Sequence, residues 1–318
     1  MKFGFYLPTR GHTATPEALE TLVTRGEALG FHSVMIADHV VFPIEVHSKY
    51  PYTVSGAFPG HGDALEQLTL MAFVAGLTTR LRLVTSFMIL PYRNPMLTAK
   101  MLATVDVLSR GRVTVGVGVG WLREEFEALH APDFDRRGAV SNEYLQIFKT
   151  LWTQDPADFA GRFYQFNGLR CLPHPLQKPH PPLWIGGHSR PALRRVATYG
   201  DGWHPVGANP AVPLRPHELQ AALNDLKRLV EAEGRDPEAV TISLKAPLYD
   251  VSPAAEQQAG LERRPFSGAP EQVIEDIATY GRLGVSELIV DFRRETLNDS
   301  LERIEHFASV IKPAADRL

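Results

Sequence analysis

An acidic residue and a histidine follow the second short apolar segment of the chain. In SVMIADHVVFP, Asp38 and His39 come directly after a run with the β-branched and apolar composition of a buried strand. A histidine at such a strand end can act as an acid or base near neutral pH, and an aspartate can orient a ring or accept a hydrogen bond. The pair is therefore a candidate catalytic pair. The alternative is a helix-capping aspartate beside a packed histidine.

A second candidate site is a glycine pair between a strand and a helix. The stretch PLWIGGHSRPALRR places Gly186, Gly187, His188 and Ser189 after an apolar run and before Pro191. Two glycines free backbone N–H groups to converge, and a helix N-terminus adds partial positive charge, so this pattern favours a phosphate cradle. A plain turn capped by Ser189 remains the alternative.

A third glycine run, GVGVGW, does not fit a dinucleotide fingerprint. Gly116, Gly118 and Gly120 have G-x-G-x-G spacing and lie partly inside an apolar run, whereas the fingerprint is G-x-G-x-x-G. We interpret them as glycines that let a bulky ligand approach a strand end. Gly118 and the following Trp121 are thus candidate cofactor contacts.

Other chemistries find little support in the sequence. No H-E-x-x-H motif is present, and the histidines among the prolines at 174–188 have no acidic companions, so we predict no metal site. No G-x-S-x-G elbow occurs, and Cys171 has no activating motif, which disfavours a covalent hydrolase. Arg136 and Arg137 are interpreted as structural.

Eight short β-rich segments with helical patterns between them would position these candidates. They are 3–7, 33–37, 81–86, 112–118, 182–186, 202–206, 241–248 and 287–292. Segments 16–30 and 270–284 show helical periodicity and end in glycine. Nearly continuous apolar strands alternating with helices indicate a parallel sheet, and eight of them predict a single (β/α)8 TIM barrel over 1–318. A doubly wound open sheet is the alternative.

Three long connections follow predicted strands. They span 38–64, 119–181 and 207–216, and each is rich in Pro, Gly, His or aromatic residues. In a barrel such loops open on the C-terminal face, where active sites lie, so we interpret them as pocket walls. The segment 161–168 is predicted to form a small hairpin.

Composition and charge exclude several classes of protein. The 318 residues carry 33 basic and 36 acidic side chains, a formal net charge of −3, which disfavours nucleic-acid or anionic-membrane binding. One cysteine fits a reducing compartment, and the N-terminus lacks a signal-like apolar region. The longest apolar run is too short to cross a bilayer. We therefore expect a cytoplasmic protein without membrane or nucleic-acid partners.

The order of these motifs resembles the bacterial luciferase-like family, particularly its branch dependent on the deazaflavin coenzyme F420. The resemblance extends over nearly the whole chain. The motifs that carry it are GFYLPT, GEALGFHSVMIADHVVFP, LRLVTSFMILPYRNPMLTAKMLATVDVLSRGRVTVGVGVGW, FDRRGAVSNEYLQIFKTLW and PPLWIGGHSRPALRRVATYGDGW.

The resemblance implies a flavin-like ring across the barrel mouth, with its phosphate at residues 186–189. It also implies a non-proline cis peptide bond at Ser86–Phe87, which supports the ring from behind. Asp38 matches a ring-contacting position and His39 a proton-handling position. Dimers are a further expectation from the family.

One position departs from the sugar-phosphate dehydrogenases of that branch, because Trp121 stands where they carry an acidic residue. This disfavours sugar-phosphate oxidation. Aromatic residues are instead expected to form a pocket for an apolar or planar substrate; they are Trp121, Tyr6, Phe87, Tyr92, Tyr50, Tyr52 and Phe58.

The sequence therefore favours an F420-dependent oxidoreductase that exchanges a hydride with a small organic substrate, with His39 handling a proton. The alternative is a monooxygenase that uses reduced FMN and O2. A non-catalytic flavin carrier is a third interpretation, from a different class. The cofactor decides between the first two.

Overall fold

All eight predicted strands are present in the computed structural model, which describes residues 1–60, 63–251 and 263–317. The strands are β1 (Lys2–Tyr6), β2 (Ser33–Ile36), β3 (Arg82–Thr85), β4 (Met88–Ile89), β5 (Val113–Gly118), β6 (Ala157–Ala160), β7 (Gln165–Leu169), β8 (Leu183–Gly186), β9 (Gly202–His204), β10 (Thr241–Ala246) and β11 (Glu287–Val290). The predicted third strand continues beyond a bend at Ser86–Phe87 as β4.

Parallel pairing closes the sheet into a barrel. The strand order is β3-β2-β1-β11-β10-β9-β8-β5, and β3 also pairs with β5. β4 pairs with β5 beyond the bend, at Met88 with Val117 and Ile89 with Gly118. The closed parallel barrel confirms the predicted (β/α)8 class over the open sheet, because an open sheet would leave β3 and β5 as unpaired edges.

The helices surround the barrel. They are α1 (Pro16–Ala28), α2 (Gln67–Leu77), α3 (Pro95–Leu108), α4 (Arg123–Ala128), α5 (Arg137–Thr153), α6 (Arg190–Tyr199), α7 (Pro216–Ala232), α8 (Pro270–Arg282), α9 (Leu297–His306) and α10 (Lys312–Ala315). Thr15 caps α1 by accepting the Ala18 N–H, and Pro16 takes the first helical position. Both predicted helical segments are confirmed.

The hairpin in the longest insertion begins earlier than predicted. β6 and β7 pair antiparallel over Ala157–Leu169, so 161–168 covers the turn and most of the second strand. Its first strand, β6, has the sequence ADFA, and alanine and aspartate have little preference for strands. The sequence therefore did not predict this strand. Glu143 orders the turn by accepting the N–H groups of Arg162, Phe163 and Tyr164.

Apolar side chains pack on both sides of the strands. A small cluster fills the barrel interior and comprises Tyr6, Met35, Val84, Trp184 and Ile289. A much larger cluster lies between the strands and the helices. This packing fixes the strand ends whose loops form the candidate site. In the described part of the chain, no helix is long and apolar enough to span a membrane.

Candidate active site

Asp38 is buried at the end of β2, where it anchors two other segments. Its Oδ2 accepts the Ile89 N–H at 2.9 Å. Its two carboxylate oxygens also accept hydrogen bonds from the two terminal nitrogens of Arg93, at 2.9 and 2.7 Å. Arg93 also donates to Glu66, and these two carboxylates raise the pKa of the guanidinium against the opposing effect of burial. Asp38 therefore joins β2 to the segment after β4. Its predicted contact with a cofactor ring stays a prediction.

His39 points away from Asp38 and meets a buried carboxylate. Its Nδ1 lies 2.8 Å from Oε2 of Glu125, whose side chain is fully buried, whereas the His39 side chain is 13% exposed. A carboxylate on Nδ1 favours the tautomer with a proton there, which leaves Nε2 as the acceptor. Among the described residues, no group bonds to Nε2. This arrangement suits a histidine that exchanges a proton with a bound molecule.

Glu125 is the centre of a wider network. Its Oε1 accepts the N–H groups of Val40 and Val41, at 2.8 and 3.3 Å, and its Oε2 accepts the Tyr92 hydroxyl at 2.9 Å. Burial and the adjacent carboxylate raise the pKa of Tyr92, so the phenol stays a donor. The network fixes the loop after His39 as well as the imidazole.

The bend after β3 forms the floor of the site. The predicted cis peptide bond between Ser86 and Phe87 is present. The Ser86 Oγ lies 3.1 Å from Nε2 of His204, and Nδ1 of His204 lies 2.8 Å from the Ser243 carbonyl. Because the carbonyl requires a donor, Nδ1 carries the proton and Nε2 accepts from Ser86. Burial lowers the pKa of His204 to about 4, so the imidazole is neutral.

The glycine pair borders a cavity of about 400 Å³ together with the predicted contacts Phe87, Gly118 and Trp121. A Cβ on Gly186 would lie 2.4 Å from Cε1 of Phe87, and a Cβ on Gly118 would lie 3.2 Å from the Phe87 Cβ. Only glycine leaves this space between the strand ends and the Phe87 ring. With Ser189, which also lines the cavity, the structure brings together six of the predicted cofactor-binding residues.

Backbone donors in the predicted phosphate cradle are free. No described group accepts the N–H of Gly187, His188 or Ser189, while the Gly187 carbonyl accepts Nε1–H of Trp203 at 2.8 Å. Ser189 caps α6 by accepting the Ala192 N–H at 3.4 Å, as the capped-turn alternative expected. The Nε2 of His188 is buried without a partner among the described residues. The unpaired N–H groups at the N-terminus of α6 are suited to bind an anion. The segment can therefore be a capped turn and a phosphate cradle at the same time.

Arg137, which the sequence analysis interpreted as structural, makes contacts that agree with that role and also lies at the site. It lines the same cavity, as does Arg195. Arg137 donates to the Gly120 and Phe134 carbonyls and stacks on the Phe134 ring at 3.9 Å. Arg195, on α6, donates to Asn142 Oδ1 at 2.7 Å and to the Gly138 carbonyl at 3.1 Å, so both arginines are held at the edge of the cavity by protein groups. Arg136, the neighbour, is exposed and lies 3.8 Å from Asp133.

The predicted aromatic residues fall into three groups, although Phe87, Trp121 and Tyr52 border the same cavity. Tyr50 and Phe58 pack on Trp121 at 5.0 and 5.4 Å, and Phe58 also lies 5.0 Å from His39. We call these three rings, Tyr50, Phe58 and Trp121, the aromatic wall. Tyr92 packs on Phe126 and belongs to the Glu125 network. Tyr6 and Phe87 lie on either side of Lys245, whose Nζ is 4.7 and 4.8 Å from their ring centres.

Sequence reasoning missed Glu125, Arg93, Arg195 and Lys245. Glu125 belongs to LREEFEAL, which has the composition of an ordinary solvated helix. The sequence therefore does not indicate that this glutamate is buried at the site. Its burial depends on the fold that brings α4 against the loop after β2. In the described ranges, no group of three or more His, Cys, Asp or Glu side chains is placed to hold a metal ion.

The family model for luciferase-like monooxygenases matches residues 1–261, which is most of the chain. The chain belongs to the luciferase-like monooxygenase family. Members of this family are flavin- or F420-dependent oxidoreductases. The resemblance drawn from the sequence motifs is thereby confirmed at the level of the family.

The chain is similar in sequence to an uncharacterized protein and to a monooxygenase. The chain is 34% identical over 235 residues to an uncharacterized protein of Mycobacterium tuberculosis, covering 73% of this chain and 74% of the relative. It is 33% identical over 189 residues to the FMNH2-dependent dimethylsulfone monooxygenase of Pseudomonas putida, covering 59% of this chain and 49% of that enzyme.

Solved structures agree on the fold. The monooxygenase RslO1 from Streptomyces bottropensis superimposes with a TM-score of 0.78 at 24% identity, over 98% of this chain and 99% of that one. An F420-dependent secondary alcohol dehydrogenase, solved with an F420–acetone adduct, superimposes with a TM-score of 0.75 at 18% identity, over 99% and 98% of the two chains. At these identities the likeness shows the fold alone.

Proposed function

We propose that this family member is an F420-dependent oxidoreductase that exchanges a hydride between the deazaflavin and a small organic substrate. The observation that carries the proposal is the pairing of His39 with the buried carboxylate of Glu125. Phe58 contacts His39 and also packs on Trp121, which lines the glycine-lined cavity. Reduction or oxidation by hydride also requires a proton to be added or removed, and His39 is placed to move it. The F420 dependence of the structurally similar secondary alcohol dehydrogenase supports the choice of cofactor.

The residues around the 400 Å³ cavity would hold the cofactor. Gly187, His188 and Ser189 offer unpaired N–H groups to a phosphate, and Arg137 and Arg195 add positive charge to the lining of the cavity. Phe87 would support the ring. When bound, the deazaflavin supplies a two-electron hydride donor or acceptor. The barrel supplies binding, orientation and electrostatics.

The chain's own residues transfer the proton and form the surroundings of the substrate. His39 accepts or donates a proton at Nε2, while Glu125 holds the ring through Nδ1 and stabilises the charge that develops on it. The aromatic wall of Tyr50, Phe58 and Trp121 excludes water from the space beside His39 and suits an apolar or aromatic substrate body.

An FMNH2-dependent monooxygenase is the second candidate. The dimethylsulfone monooxygenase relative supports it, at 33% identity over 189 residues. The same cavity would then take the FMN phosphate. We further propose a cytoplasmic homodimer, which size-exclusion chromatography with light scattering would test.

Parallel titrations distinguish the two cofactors. The purified chain is titrated with oxidised F420 and with FMN, and binding is followed by cofactor fluorescence. We expect micromolar affinity for F420 and at least tenfold weaker affinity for FMN. Micromolar binding of FMN without binding of F420 would overturn the proposal in favour of the monooxygenase.

A further inference from the structure

A cavity of about 880 Å³ opens between the segments that follow β1 and β11. Arg10 and Arg293 line it. In the order of barrel strands, β1 and β11 lie across the barrel from β5 and β8, which carry the proposed phosphate cradle. This cavity is therefore separate from the cradle.

Three basic side chains lie at this side of the barrel: Arg10 and Arg293 line the cavity, and Lys245, which does not line it, shares the Tyr6 ring with Arg293. Arg293 forms a bidentate pair with Asp291, at 2.8 and 2.6 Å. The Arg10 guanidinium lies over the Phe58 ring at 4.7 Å, and Lys245 donates to the Ser86 carbonyl at 3.0 Å. No carboxylate of the described residues lies within 4.0 Å of either Arg10 or Lys245. We call Arg10, Lys245 and Arg293 the basic cluster.

The members of the basic cluster repel one another. Burial and then the charge of Arg293 lower the pKa of Arg10 and lower the pKa of Lys245 to about 7. Desolvated like charges raise the free energy of the folded chain unless an anion joins them. Within the described ranges, Asp291 is in direct contact with Arg293 alone, and it acts on Arg10 and Lys245 only from a longer distance.

A buried tyrosine lies beside two of the three cations. The Tyr6 ring centre lies 4.7 Å from the Lys245 Nζ and 5.2 Å from the Arg293 guanidinium carbon. Tyr6 is 7% exposed, and its hydroxyl has no hydrogen-bond partner among the described residues. A buried hydroxyl without a partner costs about 1–3 kcal/mol, so a bound acceptor at this position would be stabilising.

Other acidic groups at the cavity have contacts of their own. Asp63 accepts the Gly11 N–H at 2.8 Å, and Asp250 lies 3.7 Å from Arg303. Neither lies within 4.0 Å of Arg10 or Lys245. Asp63 therefore acts on Arg10 without a direct ion pair, and Arg10 keeps room for an anionic partner.

We propose that the basic cluster binds an oxyanion group of the substrate, a carboxylate or sulfonate, with the Tyr6 hydroxyl as an additional donor. This deepens the proposed oxidoreductase function and rests on it. Phe58 contacts Arg10 on one side and lies 5.0 Å from His39 on the other. A substrate anchored at Arg10 would therefore extend along the aromatic wall toward His39.

Calorimetric titration with matched probes tests the proposal. The probes are phenylacetate, phenylmethanesulfonate and the neutral isostere phenylacetamide, each titrated into the chain with and without bound cofactor. We expect both anions to bind at least tenfold more tightly than the amide, because hydrogen bonds between charged groups are the strong ones. Loading the chain with its cofactor should preserve this preference.

Three variants and one control locate the binding site. Arg10→Gln and Lys245→Met should each weaken anion binding about tenfold or more, and Tyr6→Phe should weaken it about threefold or more, with amide binding unchanged. Arg170→Gln removes a side chain that is 76% exposed and should leave all three affinities unchanged. Thermal unfolding confirms that each variant is folded.

Equal binding of anion and amide by the parent chain would overturn the proposal, and so would an anion preference that persists in both Arg10→Gln and Tyr6→Phe. Loss of anion binding on cofactor loading would assign the cluster to an acidic group of the cofactor and also overturn it. Hydride transfer is measured separately. An anion preference without F420 binding would refute the proposed cofactor while retaining the oxyanion site.

Discussion

Nδ1 of His39 lies 2.8 Å from Oε2 of Glu125, although 86 positions separate the two residues in the sequence. The contact joins the loop after β2 to α4, and the same carboxylate accepts two backbone N–H groups and the Tyr92 hydroxyl. The imidazole is therefore held in one orientation before any substrate binds. This preorganisation is what a proton-transfer role requires.

Replacing His39 tests that role. We expect His39→Ala to lose on the order of 10²- to 10⁴-fold in turnover with nearly unchanged cofactor affinity, because general acid–base catalysis contributes about that much. Steady-state kinetics and cofactor titration measure the two effects separately. A fully active and stable His39→Ala chain would remove the histidine from the mechanism.

Combining Glu125→Gln with His39→Ala gives a double-mutant cycle that tests whether the two residues act together. If Glu125 acts through His39, the double variant should be no slower than His39→Ala alone, since residues that act as a unit are strongly non-additive. Steady-state kinetics of the two single variants and the double variant measure this coupling. Multiplicative losses would mean that Glu125 supports the loop independently of the imidazole.

Asp38 should matter chiefly for stability. Asp38→Asn removes a buried charge from Arg93, and breaking a buried pair costs about 3–5 kcal/mol. Glu66 also contacts Arg93 but is 33% exposed, so Glu66→Gln should cost less than about 1 kcal/mol. Urea unfolding measures both changes. Unchanged stability with a large loss of cofactor affinity would instead support the ring contact predicted from the sequence.

Gly186→Ala tests the space beside Phe87. The added Cβ would lie 2.4 Å from the Phe87 ring, which must then move into the cavity, so cofactor affinity should fall at least tenfold. Gly187 is a poorer test because its φ of +97° strains any other residue. Gly76→Ala is the control, since its Cβ would meet nothing within 4 Å. Equal affinities for Gly186→Ala and the parent would place the ring elsewhere.

His204 should make the fold sensitive to acid. Its folded pKa is about 4 against an ordinary 6.5, so between these values the unfolded chain binds more protons and stability falls as pH falls. The loss should reach roughly 3 kcal/mol at pH 4. His32, with a pKa also lowered to about 4, acts in the same direction and remains in a His204→Asn variant. Chemical unfolding at pH 7 and pH 4 should therefore show a smaller loss in that variant; an equal loss would contradict the assignment.

Much of the scaffold was predictable because its signals are local. Apolar strand segments and glycine-terminated helices such as α1 and α8 mark their own positions, and their count predicts a closed barrel. The glycine pair at 186–187 likewise follows from a local need for space. That 1–318 forms a single domain stays a prediction.

The site's charged partners were not predictable, because burial and pairing arise only on folding. Glu125 and Arg195 look like ordinary charges of solvated helices in the sequence, and Arg137 was interpreted as structural. Lys245 lies within an apolar strand, yet only the barrel brings it beside Tyr6 and Phe87. Similarly, the grouping of the aromatic residues depends on the fold, since the aromatic wall joins the loop after β2 to Trp121 after β5.

A reoxidation assay with reduced F420 tests the central claim most directly. The chain, loaded with reduced F420, is mixed with a panel of small carbonyl compounds in the presence and absence of O2, and the return of oxidised F420 absorbance is followed. We predict reoxidation that requires one of the organic acceptors, proceeds at the same rate without O2 and is lost in His39→Ala. Substrate oxidation that occurs only with FMNH2 and O2, with no acceptor-dependent F420 reoxidation, would contradict the account.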